Sequence, residues 1–264
     1  MPAFTAQDVK RLRDLTGAGM MDAKRALTEC DGELESAKSW LREKGLGKAS
    51  ERAGRSNEDG AVSVARAGDA AALVQLKSET DFVAKSARFV ALSEDLARVV
   101  AEKGEQAVAD KSDAIDDLRV TAKENIELGR VVRFEAAPGN ALDTYLHVQH
   151  GRGVNGILIE LEGGTQELAH EVALAAAFTK PLYLSRDEVP AERVEAEREA
   201  LLKETQNEGK PEAAWPKIVD GKLNGWFKSI VLLDSAYPKD EKQTIQQLLG
   251  GAKIANFAQV VIGQ

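Results

Sequence analysis

Apolar residues recur at helical spacing in three short segments at the start of the chain. A first helix begins after Thr5, a second covers residues 20–28, and a third ends at Gly45, because glycine commonly terminates helices. A bundle of this size has a thin core, which favours a docking role over a catalytic one. We therefore expect a three-helix module at residues 1–45 and a flexible linker without apolar periodicity at residues 46–59.

A strand–strand–helix pattern occurs twice in the middle of the chain. The apolar strand Ala72–Leu76, followed by Thr80 as a helix cap, returns later as Ile157–Leu161 followed by Thr165. A shorter strand precedes each of these strands. Two such units predict an α+β fold with a duplicated core of antiparallel sheets, each covered by a helix. The first core subdomain comprises residues 60–140, and the second comprises residues 141–188 and 228–264.

Residues 189–227 differ in composition from the core, and their first half carries many charges and few apolar side chains apart from alanine. Pro190 begins a helix that extends to residue 208, the run Gly209–Pro211 turns the chain, and a second helix starts near Trp215. These two helices predict an antiparallel hairpin that protrudes from the core. The remaining predicted elements are helices at residues 115–127 and 244–249 and strands at residues 131–135, 229–233 and 254–262.

The run Thr80–Ala84 places an aromatic ring at the start of a helix. Thr80 is a suitable N-cap and Asp81 complements the positive end of the helix dipole, so one helix is predicted from this point. Phe82 lies off the centre of the predicted buried face. Either its ring packs under a loop of its own domain, or it enters a pocket of another molecule. The predicted buried face consists of Val83, Ala87, Val90, Leu92, Leu96 and Val100.

Acidic residues outnumber basic residues by 43 to 35, which leaves a formal net charge of −8. This balance argues against nucleic acid as a direct partner, because phosphate binding relies on clustered lysine and arginine. The chain shows neither a signal peptide nor an apolar run long enough to span a membrane, so we expect a soluble, cytoplasmic protein. Cys30 is the single cysteine and cannot form an intramolecular disulfide, which fits a reducing compartment.

The run Gly151–Gly156 matches the glycine pattern of dinucleotide-binding loops. That pattern requires a helix directly after the loop, whereas an apolar strand follows here. His147 and His150 lie too close together, with too few other ligands nearby, to predict a metal site. We therefore expect no cofactor, no metal and no catalytic centre. The rival hypothesis is a dinucleotide-dependent oxidoreductase that uses the loop at Gly151.

Two motifs closely resemble bacterial elongation factor Ts: the stretch Leu12–Leu27 and the run Thr80–Ala84. The order of linker, duplicated core, charged hairpin and final strand agrees with that family, and the resemblance covers essentially the whole chain. It implies a guanine nucleotide exchange factor for elongation factor Tu, with an N-terminal module similar to ubiquitin-associated domains. Exchange of this kind needs differential binding and no covalent chemistry. The alternative is a protein-interaction scaffold without effect on nucleotide release, and self-association through the hairpin or the core is left open.

The resemblance also implies which residues meet elongation factor Tu. By helical spacing, Met20 shares the core face with Ala23 and Leu27, whereas Met21 does not. The turn near residue 150 is longer than is usual in the family, which leaves open which histidine makes contact. The implied contacts are Thr80, Asp81, Phe82 and Val83 beside the Mg²⁺ site; Arg13, Met20 and Met21 for docking; Asn125 and Ile126 near the phosphate loop; and His147 or His150.

Overall fold

The computed structural model describes residues 4–209 and 211–263, which form an α+β fold. Residues 1–3 of the predicted module, Lys210 of the predicted turn and Gln264 at the end of the second subdomain lie outside the described residues. Within the described ranges, no helix combines the length and apolar character needed to cross a membrane. The helices are α1 (Ala6–Thr16), α2 (Met20–Glu29), α3 (Leu34–Ser50), α4 (Asp81–Ala84), α5 (Ala87–Lys103), α6 (Ser112–Ala122), α7 (Gln166–Thr179), α8 (Ala191–Asn207), α9 (Trp215–Ile230) and α10 (Ile245–Leu249). The strands are β1 (Asp59–Ala67), β2 (Ala70–Ser78), β3 (Glu127–Glu135), β4 (Ala141–Gln149), β5 (Arg152–Glu162), β6 (Ala236–Tyr237), β7 (Asp240–Thr244) and β8 (Lys253–Val261).

Two three-stranded antiparallel sheets form the core, in the orders β1-β2-β3 and β4-β5-β8. Side chains alternate along the central strands, as the pleat of a strand requires. In β2, Leu73 packs against the second sheet while Val74 faces the cluster that contains α5. In β5, Leu158 packs against the first sheet while Ile157 and Ile159 face α7. The two sheets therefore lie face to face between α5 and α7, and the predicted duplicated sheet-plus-helix core is confirmed.

The third helix of the N-terminal module continues past Gly45, so the prediction that it ends there is wrong. α3 packs along α6 of the core. A methyl group built on Gly45 would lie only 2.7 Å from Cγ2 of Val120, so the missing side chain lets the two helices approach closely. Arg42 on α3 also pairs with Asp113 on α6. The first part of the predicted linker is therefore helical, and the module lies against the core instead of on a free tether.

Substituting Gly45 with alanine is expected to destabilise the protein by about 1–3 kcal/mol, because the added methyl group meets the stiff side chain of Val120. Gly47→Ala is the matched control. It lies on the same helix, gains the same helix propensity of about 1 kcal/mol, and its added methyl group would meet open space. Urea unfolding measures both changes, and equal effects of the two substitutions would show that the contact between α3 and α6 does not stabilise the fold.

The helix predicted at residues 115–127 is shorter in the structure. α6 ends where Lys123 adopts a left-handed backbone conformation with φ 59°, and β3 already begins at Glu127. The chain turns away at this point because the carboxylate of Glu79 accepts the backbone N–H of Asn125 at 2.6 Å. The contact joins residues far apart in the sequence, so helical periodicity alone does not predict this boundary.

Helices α8 and α9 form the predicted hairpin, joined by ion pairs such as Arg198–Asp220 at 2.9 Å. Residues 229–233, predicted as a strand, instead form the end of α9 and an isolated bridge between Val231 and Tyr183. That prediction is wrong because a short apolar run suits a buried helix end as well as a strand. Here it packs with Phe227 in a small apolar cluster at the base of the hairpin.

A buried carboxylate fastens the connection between the two sheets. Glu160, on the central strand β5, is 2% exposed. It accepts the N–H of Ala137 at 2.9 Å and side-chain amide hydrogens of Asn140 and Asn256 at 2.7 and 2.6 Å. Burial alone raises the pKa of Glu160, but the hydrogen bonds from Asn256, Ala137 and Asn140 together lower it below its usual value. The carboxylate is therefore the form that stabilises the fold.

Replacing Glu160 with glutamine is expected to lower the free energy of unfolding by about 1–3 kcal/mol near neutral pH. One carboxylate oxygen, which accepts a hydrogen bond, becomes an NH2 group that faces one of the surrounding N–H donors. Since folding lowers the pKa of Glu160, its contribution is complete above the pKa of the unfolded chain and is lost as the pH falls through the folded value. The difference between wild type and variant should shrink with decreasing pH in urea titrations. Glu162→Gln, at the exposed end of the same strand, serves as the control and should change little. A difference that stays constant down to about pH 3 would contradict this account.

Candidate functional site

The run Thr80–Ala84 forms a separate helical turn. Thr80 caps α4 as predicted, and its Oγ1 accepts the N–H of Val83 at 3.4 Å. The chain is then interrupted, and the hydroxyl of Ser86 accepts the N–H of Phe89 at 3.4 Å to begin α5. The prediction of one continuous helix is therefore wrong, because Ser86 is a second N-cap that separates the turn from the long helix.

The two phenylalanines of this region have opposite environments. Phe82 is 84% exposed, whereas Phe89 is completely buried beside Leu96 in the cluster under the first sheet. The interpretation that Phe82 packs under a loop of its own domain is therefore wrong. Ala87, predicted on the buried face, is exposed, since Phe89 points to the core instead. Val83 is half-buried and contacts the same cluster, so it anchors the turn from below.

Two glutamates bind the turn to the segment that follows α6. The carboxylate of Glu124 accepts the backbone N–H groups of Glu79 and Thr80, both at 3.1 Å, and the hydroxyl of Thr80 at 2.5 Å. In return, the carboxylate of Glu79 accepts the backbone N–H of Asn125 and lies 3.6 Å from a guanidinium nitrogen of Arg55. We call this reciprocal pair of glutamates the carboxylate clamp. It joins the backbone of Glu79 and Thr80, on the N-terminal side of Phe82, to Glu124 and Asn125 through hydrogen bonds of both glutamates.

Asn125 and Ile126 are buried, whereas Phe82 is exposed on the surface. The side-chain amide of Asn125 is buried and donates to the carbonyl oxygen of Arg55 at 2.9 Å. Ile126 is completely buried in the core cluster. The side chain of Ile126 is therefore not available for contact with another molecule in this structure, and Asn125 serves to connect three segments.

Asp81 stands next to Phe82 as an ionised carboxylate. Its side chain pairs with Lys85 one turn later. The hydrogen bond from Lys85 and, to a smaller extent, the charge of Arg152 hold the pKa of Asp81 below its usual value. Arg152 comes from β5 of the second sheet and also pairs with Asp59 on β1, so both core subdomains contribute to the surroundings of the turn.

The N-terminal module presents a surface groove. Met20 is 46% exposed and Met21 is 75% exposed, so the prediction that Met20 belongs to the core face is wrong. From α2, the core receives Ala23, Ala26 and Leu27, whereas Met20, at the first position of the helix, lies outside it. Arg13, also on this module, pairs with Asp14 at 2.6 Å and keeps two fifths of its side chain exposed. The groove is lined by Phe4, Val9, Lys10, Met20, Met21 and Lys24.

The two histidines of the β4–β5 hairpin differ in position. His147 is exposed on β4 and lines a second groove, on the C-terminal subdomain, whereas His150 lies in the turn with φ 53°. The glycine run at 151–156 starts in the turn and then forms the first residues of β5, so a strand follows as predicted and no helix does. In the described part of the chain, no cluster of three or more acidic, histidine or cysteine side chains is suited to a metal ion. The second groove is lined by Tyr145, His147, Arg152, Leu174, Phe178 and Lys180.

Comparison with known proteins identifies the family. A family model described as Elongation factor TS matches residues 79–264. Elongation factor Ts of Clavibacter michiganensis subsp. michiganensis is 40% identical over the full length of both chains, and that of Mycobacterium avium is 42% identical over the full length of both. Elongation factor Ts of Alkalilimnicola ehrlichii is 38% identical and covers 99% of this chain and 93% of its own. The chain belongs to the elongation factor Ts family. Membership in this family supports a role in translation elongation.

The elongation factor Ts match begins at Glu79 of the carboxylate clamp and includes the exposed turn, the hairpin, strand β3 of the first sheet and the whole second sheet. Sequence reasoning singled out Phe82 but missed Glu79, Glu124 and Arg152. Each of these acts through a partner more than 40 positions away. The one local signal is Glu79, the acidic residue directly before Thr80, and a flanking charge does not by itself identify a distant partner.

Proposed function

We propose that this protein is the guanine nucleotide exchange factor of elongation factor Tu and acts in the cytoplasm during translation elongation. The exposed ring of Phe82, on a turn that two glutamates hold at its N-terminal side, is the observation that carries the proposal. A large apolar side chain exposed next to a charged one is typical of an interface anchor that becomes buried in a partner. Membership in the elongation factor Ts family supports the choice of partner.

In this proposal, Phe82 and Asp81 insert beside the Mg²⁺ site of elongation factor Tu. The carboxylate of Asp81 is charged at neutral pH, which disturbs the balance of charge around the metal and the GDP phosphates. Insertion of the ring displaces the partner's switch region and weakens the hold on Mg²⁺. The factor itself binds neither nucleotide nor metal.

A few interface side chains can supply the binding free energy that accelerated nucleotide release requires. Nanomolar nucleotide binding corresponds to about 12 kcal/mol, and release about ten-thousandfold faster needs about 5.5 kcal/mol of differential binding. Interface anchors contribute about 2 kcal/mol or more each. Because coupling between two ligands is reciprocal, GDP weakens the binding of the factor as much as the factor weakens the binding of GDP.

Two further surfaces hold the partner in place. The methionine-lined groove of the N-terminal module, together with Arg13, captures the GTPase domain. Lys10 and Lys24 outnumber Asp31 in the lining of the groove, which favours an acidic segment of the partner. The groove beside His147 provides a second contact on the C-terminal subdomain, which favours His147 over His150. Both grooves position Phe82 and do not act on the nucleotide.

Release of fluorescent GDP from elongation factor Tu, with and without this protein, tests the proposal. Addition of the protein should accelerate release by orders of magnitude and in a saturable manner. An interaction scaffold would bind the GTPase without changing the release rate. Direct titration of the protein alone with GDP or NAD controls for nucleotide binding by the chain itself, and saturable binding there would support a nucleotide-dependent activity instead.

A further inference from the structure

The exposed turn has little structure of its own. α4 has four residues, which is too short to be stable in isolation. Phe82 is 84% exposed, so its ring does not hold the turn in place. The position of the ring therefore depends on what fixes the backbone before it.

Glu124 provides most of that fixation. One carboxylate accepts three hydrogen bonds: from the N–H of Glu79, the N–H of Thr80 and the hydroxyl of Thr80. Bonds to an ionised acceptor are stronger than bonds between neutral groups. By taking the hydroxyl hydrogen of Thr80, Glu124 also turns the lone pairs of that oxygen towards the N–H of Val83, which Thr80 caps. The same contact thus fixes the chain direction and begins the helical turn.

The clamp also relates the turn to the docking module. Glu124 lies two positions after the end of α6, and α6 is the helix on which the module lies. Gly45 of α3 approaches Val120, and Gly17 at the end of α1 approaches Thr121, where a methyl group on Gly17 would lie 3.0 Å from Cγ2. Glu124, whose carboxylate holds Thr80, therefore follows the module-contacting residues Val120 and Thr121 by only four and three positions.

We infer that Glu124 is a positioning residue for nucleotide exchange, which holds Phe82 at a set distance from the docking module so that one partner engages both. Glu79 completes the clamp through Asn125. This inference rests on the proposed function and deepens it. The step that depends on Glu124 is the insertion of Phe82, not the capture of the partner.

The test compares Glu124→Ala with Glu105→Ala in the full chain. Glu105 is a matched control, because its carboxylate likewise accepts a backbone N–H, that of Arg133 at 2.9 Å, in the same subdomain. GDP release is measured over a range of factor concentrations. Glu124→Ala should lower the maximal release rate about tenfold and change the half-saturating concentration less than about twofold, since displacement of a reacting group by about 1 Å has effects of that order or larger. Glu105→Ala should leave both values unchanged.

A double-mutant cycle with Phe82→Ala separates positioning from general stability. If Glu124 acts through Phe82, its substitution should lower the maximal rate less than about twofold further when the ring is already absent. Glu124→Gln keeps one oxygen for the two N–H donors and should retain an intermediate rate. Thermal unfolding checks each variant, and if Glu124→Ala does not fold, Glu124→Gln replaces it in the cycle.

The outcomes are distinct. A wild-type maximal rate for the folded Glu124 variant, or full additivity with Phe82→Ala, would overturn the positioning role while leaving the proposed function intact. An unchanged rate for Phe82→Ala itself would instead refute the insertion of Phe82. A rise in the half-saturating concentration with an unchanged maximal rate would assign Glu124 to docking and overturn the inference.

Discussion

Replacing Phe82 with alanine is expected to slow the GDP release that this protein stimulates by about tenfold or more. The ring is 84% exposed in the free protein, so its removal leaves no cavity. The free energy of unfolding should therefore change by less than about 1 kcal/mol. The rate is measured by stopped-flow fluorescence of labelled GDP, and stability is measured by urea unfolding.

Phe89→Ala is the matched control for this prediction. It removes the same atoms seven positions later, from a completely buried site, and should cost about 3–5 kcal/mol of stability through the cavity that it creates. If Phe82→Ala destabilises the protein to that extent, while the remaining folded protein exchanges nucleotide normally, Phe82 is a structural residue and the proposal is wrong.

Aspartate at both Met20 and Met21 is expected to raise the half-saturating concentration of the factor by about tenfold or more. Both side chains line the groove of the N-terminal module and are exposed, so two charges there oppose capture without disturbing the core. The maximal release rate should change little, because Phe82 is untouched. Point variants are preferable to deletion of the module, since deletion would expose the face of α6 that α3 covers.

Leu15→Asp provides the control for the methionine pair. Leu15 is another exposed apolar residue of the module, at the end of α1, and it does not belong to the groove. Its substitution should leave the concentration dependence close to that of the wild type. Equal weakening by Leu15→Asp, or no weakening by the methionine variant, would mean that the groove is not the docking surface.

Packing of the N-terminal module on α6 changes the mechanism that we expect. A module on a flexible tether would raise the local concentration of the core near its partner and leave the orientation free. A module that lies against α6 presents its groove and Phe82 in one set geometry, so capture also orients the ring. The Gly45→Ala variant therefore affects both stability and the coupling between the two surfaces.

The sequence determined those features of this protein that depend on neighbours along the chain. The duplicated strand–strand–helix units follow from side-chain alternation and from the caps Thr80 and Thr165, and each of these hydroxyls caps its helix in the structure. The capping box of Thr5 with Asp8 likewise begins α1 where predicted. Such signals act over three or four residues, so tertiary contacts rarely alter them.

Only the tertiary structure decided which of these elements pack together, and the candidate site is formed by that packing. Gly45 does not end α3, because the helix gains more from packing on α6 than the glycine costs. Phe82 and Phe89 have the same side chain and lie close together in the sequence. Because Ser86 begins a new helix between them, Phe82 lies on an exposed turn and Phe89 on the buried face of α5. Glu124 reaches Thr80 across 44 positions. Local periodicity carries no information about such long-range contacts, because they depend on how completed elements pack against one another.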